Sequence, residues 1–176
     1  MDNQQVTGFE LGWLVGAIDG EGCVGISRRQ QSHGKSFGLK PHIQIANCDK
    51  DFIDRYVLIL DKLAVPYWIS HYEAKGRRNE SWQVATSGLK RTIKLLPTIA
   101  NLLCKEKRTK ALLVQEFVES RLSDWHAAPF TPRQLEIYQI VADLNVKGFV
   151  SRNLRDYTRN NRSSKVPFVE DIVQAE

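Results

Sequence analysis

The chain has 176 residues, with 25 Lys and Arg against 20 Asp and Glu, a formal net charge of +5 and 42% hydrophobic residues, and its pI is about 9.2. That length sets one domain with at most a small appendage, and the composition excludes a collagen, a disulfide miniprotein and a disordered chain. No apolar run approaches the roughly 20 residues of a membrane span, the N-terminal run 11–18 lacks a preceding basic segment, and Cys23, Cys48 and Cys104 show no CxxC spacing. The expectation is an intracellular protein that is not secreted, in a prokaryotic cytoplasm, an organelle or a nucleus, with no disulfide framework or zinc site. A moderately basic balance suits a nucleic-acid partner.

Thr7-Gly8-Phe9-Glu10 has the capping-box pattern: the Thr7 hydroxyl accepts from the N3 amide while Glu10 reaches back to the cap amide. Leu11, Leu14, Val15 and Ile18 then recur at helical spacing up to Asp19-Gly20-Glu21-Gly22, where two glycines permit the conformations that end a helix. Strands are predicted over 23–29 and 40–47, joined by an exposed hairpin through Ser32-His33-Gly34-Lys35. In the second strand Ile43 and Ile45 alternate with His42, Gln44 and Ala46, giving one apolar and one largely polar face.

Asp49 caps a predicted helix over 50–63, with Phe52, Ile53, Tyr56, Val57, Leu60 and Leu63 on its apolar side, until Pro66 interrupts. A second strand pair, 67–72 and 81–86, flanks the loop Lys75-Gly76-Arg77-Arg78-Asn79. A short helix over 89–96 ends near Pro97, and 105–122 is helical with Leu113, Val114, Phe117 and Val118 on one side. The composition shifts at His126-Ala127-Ala128-Pro129, which sets a core of 1–125 and an extension of 126–176. In the extension, Thr131-Pro132-Arg133-Gln134 reads as a helix start running to about Leu144, and Arg152, Arg155, Arg159, Arg162 and Lys165 form a basic arm.

The segment that carries chemistry is 11–22. Gly12 and Gly16 lie one helical turn apart and leave a groove through which a second helix can approach closely. Asp19 and Glu21 stand at the helix C-terminus, where a carboxylate meets the negative end of the macrodipole at a cost of about 0.3–1 kcal/mol. Such a placement asks for a cation, and Mg²⁺ suits it, because it takes one or two carboxylates together with waters and phosphate oxygens.

Leu14-Val15-Gly16-Ala17-Ile18-Asp19-Gly20-Glu21-Gly22 resembles the LAGLIDADG motif of homing endonucleases, followed by strand pairs and helices in that family's order. The resemblance implies an α+β fold, an αββαββα core whose antiparallel sheet forms a DNA-binding saddle, with a helical and basic C-terminal extension. It implies that Glu21 holds the catalytic metal, with Gly20 beside it, and that Asp19 ties down the helix end. One motif per chain implies a homodimer through the motif helix, with Leu11, Gly12, Val15, Gly16 and Asp19 at the interface. The cofactor implied is Mg²⁺, two or three divalent ions per dimer. Asn47 falls at the position of a polar residue that organises solvent, and Lys105 or Lys107 at that of a charge-stabilising lysine; for each, a cap or a surface charge is the plain structural alternative.

Arg and Lys read guanine and Asn or Gln read adenine in a major groove that a β-ribbon can enter. Period-two spacing places Gly25, Ser27, Arg29, Gln31 and His33 on one face, with Lys35 in the hairpin and Lys40, His42 and Gln44 alongside. Ser81 and Gln83, with Lys75, Arg77 and Arg78, extend this DNA-binding surface, while Trp82 and Val84 pack inward. Arg152, Arg155, Arg159 and Arg162 are phosphate contacts rather than base readers.

The expectation is therefore a site-specific endonuclease making a double-strand break in a long, near-palindromic target by metal-dependent hydrolysis, cutting across the minor groove to leave 3′ overhangs and encoded within an intron. The alternatives are a maturase binding intron RNA and a DNA-binding regulator that no longer cuts. The histidines lack ligand spacing, and no P-loop, dinucleotide or esterase motif is present.

Overall fold

A computed structural model of the chain describes residues 5–30, 37–124 and 128–145. Helix α1 (Gly8–Glu21) leads into strands β1 (Gly22–Gln30) and β2 (Phe37–Asn47), helix α2 (Lys50–Lys62), strands β3 (Trp68–Tyr72) and β4 (Ser81–Ser87), and helices α3 (Leu89–Ile99), α4 (Lys105–Ser123) and α5 (Pro132–Asn145). The α1 capping box forms as the sequence requires. The Glu10 amide donates to the Thr7 hydroxyl at 3.2 Å and the Thr7 amide donates to Glu10 Oε2 at 2.9 Å. The other Glu10 oxygen accepts from Lys62 Nζ at 2.5 Å, tying α1 to the end of α2 and holding the Glu10 carboxyl down to about 2.

The four strands form one antiparallel sheet in the order β1-β2-β4-β3. Its apolar face presents Val24, Ile26, Ile43, Ile45 and Val84, each under a tenth exposed, to the helices. The helices answer with Leu14, Val15 and Ile18 of α1, Ile53, Tyr56 and Leu60 of α2, Leu95, Leu96 and Ile99 of α3, and Val114, Phe117 and Val118 of α4. Each such side chain contributes about 1.5–3 kcal/mol by leaving water. Burial pushes the Tyr56 phenol well above its usual range.

Two expectations are corrected. First, α1 runs through Gly20 to Glu21 and ends at Gly22, and neither glycine has a positive φ. Gly22 is needed for close approach instead, because a Cβ there would stand 2.6 Å from the Ile18 carbonyl oxygen. Second, α3 continues past Pro97 to Ile99 and on into a 3₁₀ turn over Ala100–Leu102. Burial of Leu96, Ile99 and Ala100 offsets the single amide hydrogen bond that proline forgoes. Residues Met1–Ala142 form one compact unit, with Ile137 and Val141 of α5 fully buried in it. The second unit, Asp143–Glu176, is described only over its first three residues.

Candidate active site and nucleic-acid interface

The end of α1 meets the start of α4. Both carboxylate oxygens of Asp19 accept from the Cys104 amide, at 3.2 and 3.0 Å, so Asp19 caps a helix that begins 85 residues later in the chain. A carboxylate that is misplaced at the C-terminus of α1 is thereby well placed at the N-terminus of α4, whose exposed amides carry partial positive charge. The Cys104 thiol is pushed up by the same carboxylate. From the first turn of α4, Lys107 Nζ donates to the Ile18 and Asp19 carbonyl oxygens at 2.7 and 2.6 Å. Burial lowers the Lys107 pKa and Asp19 partly restores it. The cation that the acidic turn asks for is thus in part Lys107, a candidate by sequence whose contact with the end of α1 was not legible there, because local spacing says nothing of a residue so far along the chain.

Lys105 and Lys107 are now distinguished by geometry. Lys107 is half-buried against the motif helix, whereas Lys105 is exposed on the opening turn of α4. Asn47 ends β2 at the same end of the sheet as α1, since Gly22 pairs with Ile45. Its Oδ1 accepts from the Asp49 amide at 2.9 Å, a local turn contact. The Glu21 carboxylate is exposed and makes no hydrogen bond or ion pair with any described residue.

Among the described residues, no group of three or more His, Cys, Asp or Glu could hold a metal ion. The donor set at the end of α1 still fits a hard divalent cation in one respect. It offers one uncommitted carboxylate, Glu21, beside the Gly20 carbonyl, one of the last four in α1 that no intrahelical donor can satisfy. Mg²⁺ takes only one or two protein carboxylates and draws its remaining oxygens from water and phosphate.

The open face of the sheet is polar. Register places Ser27 opposite Lys40, Gly25 opposite His42, and Cys23 opposite Gln44, with Arg29 continuing the row. Gln83 Nε2 donates to Gln44 Oε1 at 3.0 Å, and Tyr72 Oη donates to Gln83 Oε1 at 3.1 Å, linking three strands by their side chains. No strand contains an Asp or Glu. Lys40 is pushed down by burial first and then by Arg29 and Arg91, and His42 mainly by burial, while none of the described strands supplies a carboxylate to this face. Such a surface favours a polyanion. Ser81 shares this face, while Val84 is fully buried and Trp82 stacks on His71 at 5.2 Å on the other, as expected. Gly25 is buried in the ladder, opposite His42.

Lys75 and Arg78 bridge across a tight turn in which Gly76 takes φ +62°, and both Arg77 and Arg78 are exposed. Gln31, His33 and Lys35, and Arg152, Arg155, Arg159 and Arg162, lie outside the described residues. Sequence reading passed over Trp68, Ser70 and Tyr72 of β3, which share the open face, and Arg91, whose guanidinium lies 5.0 Å from the Trp68 ring centroid. The signal was available: alternation along β3 puts those three side chains opposite Ile69 and His71.

On α1, Gly12 and Gly16 are exposed, and a Cβ at either would meet nothing within 4 Å. Phe9, 74% exposed, adjoins them, and Arg55 of α2 lies over both Phe9 and Trp13 at 5.4 and 4.8 Å. The other residues expected at that interface have partners within the chain. Val15 is buried in its own core, Leu11 packs against that core, and the Asp19 carboxylate is committed to Cys104.

A helix ending in an acidic turn, packed with further helices against one face of a four-stranded antiparallel sheet, matches the fold of the LAGLIDADG homing endonucleases, a class of DNA-cleaving phosphodiester hydrolases. The LAGLIDADG-like domain family matches residues 8–100, more than half of the chain, and the chain belongs to it. Among solved structures it is similar to I-Vdi141I, an archaeal intron-encoded homing endonuclease complexed with DNA, at 17% identity and TM-score 0.62, covering 84% of this chain and 91% of that one. It is also similar to I-CvuI in complex with its DNA target in the presence of calcium, at 15% identity and TM-score 0.61 over 86% and 94% of the two chains. A third likeness is to the homing endonuclease I-TnaI, at 14% identity and TM-score 0.60, covering 90% of this chain and all of that one. No curated protein matches by sequence. At these identities the structural likeness concerns the fold.

Proposed function

We propose that this chain is one half of a homodimeric, site-specific homing endonuclease that makes a double-strand break in a long, near-palindromic DNA target and is encoded within an intron. One observation carries the reading: the exposed, uncommitted Glu21 carboxylate stands at the end of a helix whose final carbonyls are held by Lys107, at one end of an acid-free sheet. Two copies packed along the open Phe9-Gly12-Gly16 face of α1 bring two Glu21 carboxylates together and align two sheets with the half-sites of a palindrome. The I-CvuI structures in the presence of magnesium and of calcium support a divalent cofactor.

In this reading Glu21 and the Gly20 carbonyl would hold Mg²⁺, with two or three divalent ions per dimer. Bound there, Mg²⁺ supplies Lewis-acid polarisation and an acidified water. Lys107 has three N–H donors, and the two α1 carbonyls use two, leaving one for a phosphate oxygen. Asp19 fixes Lys107 by capping α4, and Asn47 orients solvent at the same end of the sheet. Arg29, Ser27, Lys40, His42, Gln44, Ser81 and Gln83 read bases, while Lys75, Arg77, Arg78 and the arm arginines bind the backbone. In this reading the catalytic core is 1–125, and 126–176 is a helical and basic extension that adds backbone contacts.

The test is cleavage of a randomised duplex library by the wild type and Glu21→Gln, each with Mg²⁺ and with Ca²⁺, followed by sequencing of the ends. Cutting of one near-palindromic site by the wild type with Mg²⁺, and binding without cutting by Glu21→Gln, is expected. Unchanged cutting by the variant would sink the assignment of Glu21, and binding without cutting by the wild type would move the weight to a regulator.

A further inference from the structure

Where the β1–β2 ribbon runs outward, its inner side meets a stack of aromatic rings. Phe37, the first residue of β2, stacks on Phe130 at 5.8 Å with planes 20° apart, and Phe130 in turn lies 6.4 Å from Phe117 of α4. Two guanidinium groups close the stack: Arg28 of β1 lies 4.3 Å from the Phe37 centroid, and Arg121 of α4 lies 4.8 Å from that of Phe130.

Phe130 is held by the start of α5. Arg121 Nη1 donates to the Ala128 carbonyl at 3.1 Å. Thr131 and Gln134 form a capping box at 3.1 and 3.2 Å, and the buried Gln134 amide also donates to Ser120 Oγ and Asp124 Oδ2 at 3.0 and 2.7 Å. Arg133 makes a two-pronged contact with Glu116 at 2.8 and 3.0 Å. These contacts dock the helix start on α4 whether or not a ring is present at position 130.

The same ribbon carries candidate base readers on its other side. Arg28, which pairs with Leu39, and Phe37 lie on the inner face, while Ser27, Arg29 and Lys40 face outward. A two-stranded ribbon is marginally stable by itself, and base readout needs side chains held to within about half an ångström. We infer that Phe130 is a specificity-determining positioning residue: the start of α5 buttresses the β1–β2 ribbon through the Phe37-Phe130-Phe117 stack and so fixes the angle at which Arg29 and Lys40 meet DNA. This rests on the endonuclease reading for the identity of the ligand, but not for the mechanical coupling.

The experiment compares the wild type with Phe130→Ala, Phe130→Leu and Phe130→Tyr by two readouts. The first is amide hydrogen exchange over residues 28–30 and 37–39. Exchange there is expected to quicken by roughly two- to tenfold in Phe130→Ala, the range of a single aromatic stacking contact, to quicken less in Phe130→Leu, and to stay at the wild-type rate in Phe130→Tyr. The second is the base preference at each position of the target. Preference is expected to relax at the positions that Arg29→Ala also relaxes, with the cleavage rate of saturated enzyme unchanged and with Phe130→Tyr restoring the profile. A purely structural role would instead depress binding evenly at all positions and would not separate binding from the cleavage rate. Even depression, or unchanged ribbon exchange in Phe130→Ala, would overturn the proposal. A wild type that binds no duplex would overturn the endonuclease reading instead, and the exchange measurement would then decide the buttress alone.

Discussion

Lys107→Met removes the ammonium that donates to the Ile18 and Asp19 carbonyls at 2.7 and 2.6 Å while keeping the length and apolar bulk of the side chain. A hydrogen bond from a charged donor contributes about 1.5–3 kcal/mol when enclosed. Lys107 is half-exposed, so solvent can replace part of what is lost, and the two bonds together are expected to be worth about 1–3 kcal/mol. For a unit of this size that is a fall in Tm of roughly 3–9 °C. Urea denaturation at neutral pH should show a lower midpoint with an unchanged slope, because no surface exposed on unfolding is added or removed. Lys105→Met, on the exposed turn of the same helix, is the control and should shift the midpoint by less than about 0.5 kcal/mol. Cleavage should disappear in Lys107→Met and persist in Lys105→Met. Equal stability of the two variants, or a larger loss for Lys105→Met, would refute the argument that Lys107 satisfies the end of the motif helix.

Gly22→Ala should destabilise by about 2 kcal/mol or more, since its Cβ would stand 2.6 Å from backbone that cannot swing aside, and circular dichroism melting would show it. Gly16→Leu should behave oppositely in the monomer. Nothing lies within 4 Å of the added Cβ, and replacing a mid-helix glycine gains about 0.5–1 kcal/mol. Sedimentation with DNA should nonetheless show the dimer lost, and an intact dimer would refute the packing face. The Tm difference between wild type and Glu10→Gln tests the Lys62 contact. Because the Glu10 pKa falls from 4.5 to about 2 on folding, its stabilisation is complete above the unfolded value and lost as pH drops toward the folded one. The difference should stay constant from neutrality to about pH 5 and vanish on approaching pH 2; a difference that persists there would exclude the ion pair as its source.

Local patterns determined the elements and the motif. Thr7 and Glu10, Asp49, and Thr131 with Gln134 each mark a helix start through a hydrogen bond spanning at most three residues, so their caps could be read off directly. Alternation along β2 separated His42 and Gln44 from Ile43 and Ile45 because strand geometry sends neighbours to opposite faces. The segment 11–22 marked the carboxylate at position 21 and the glycines at 12 and 16, because residues four apart share one face of a helix. Tertiary structure decided what those residues meet. Asp19 looked like a charge in the wrong place until α4 arrived with its amides, Lys105 and Lys107 were equivalent until one of them reached the motif helix, and Phe130 fell between the composition shift and the helix start at Thr131, where no pattern marked it. Each of those outcomes depends on contacts between segments tens of residues apart, whose energies come from packing and charge neutralisation across the fold, and short-range periodicity carries no term for them.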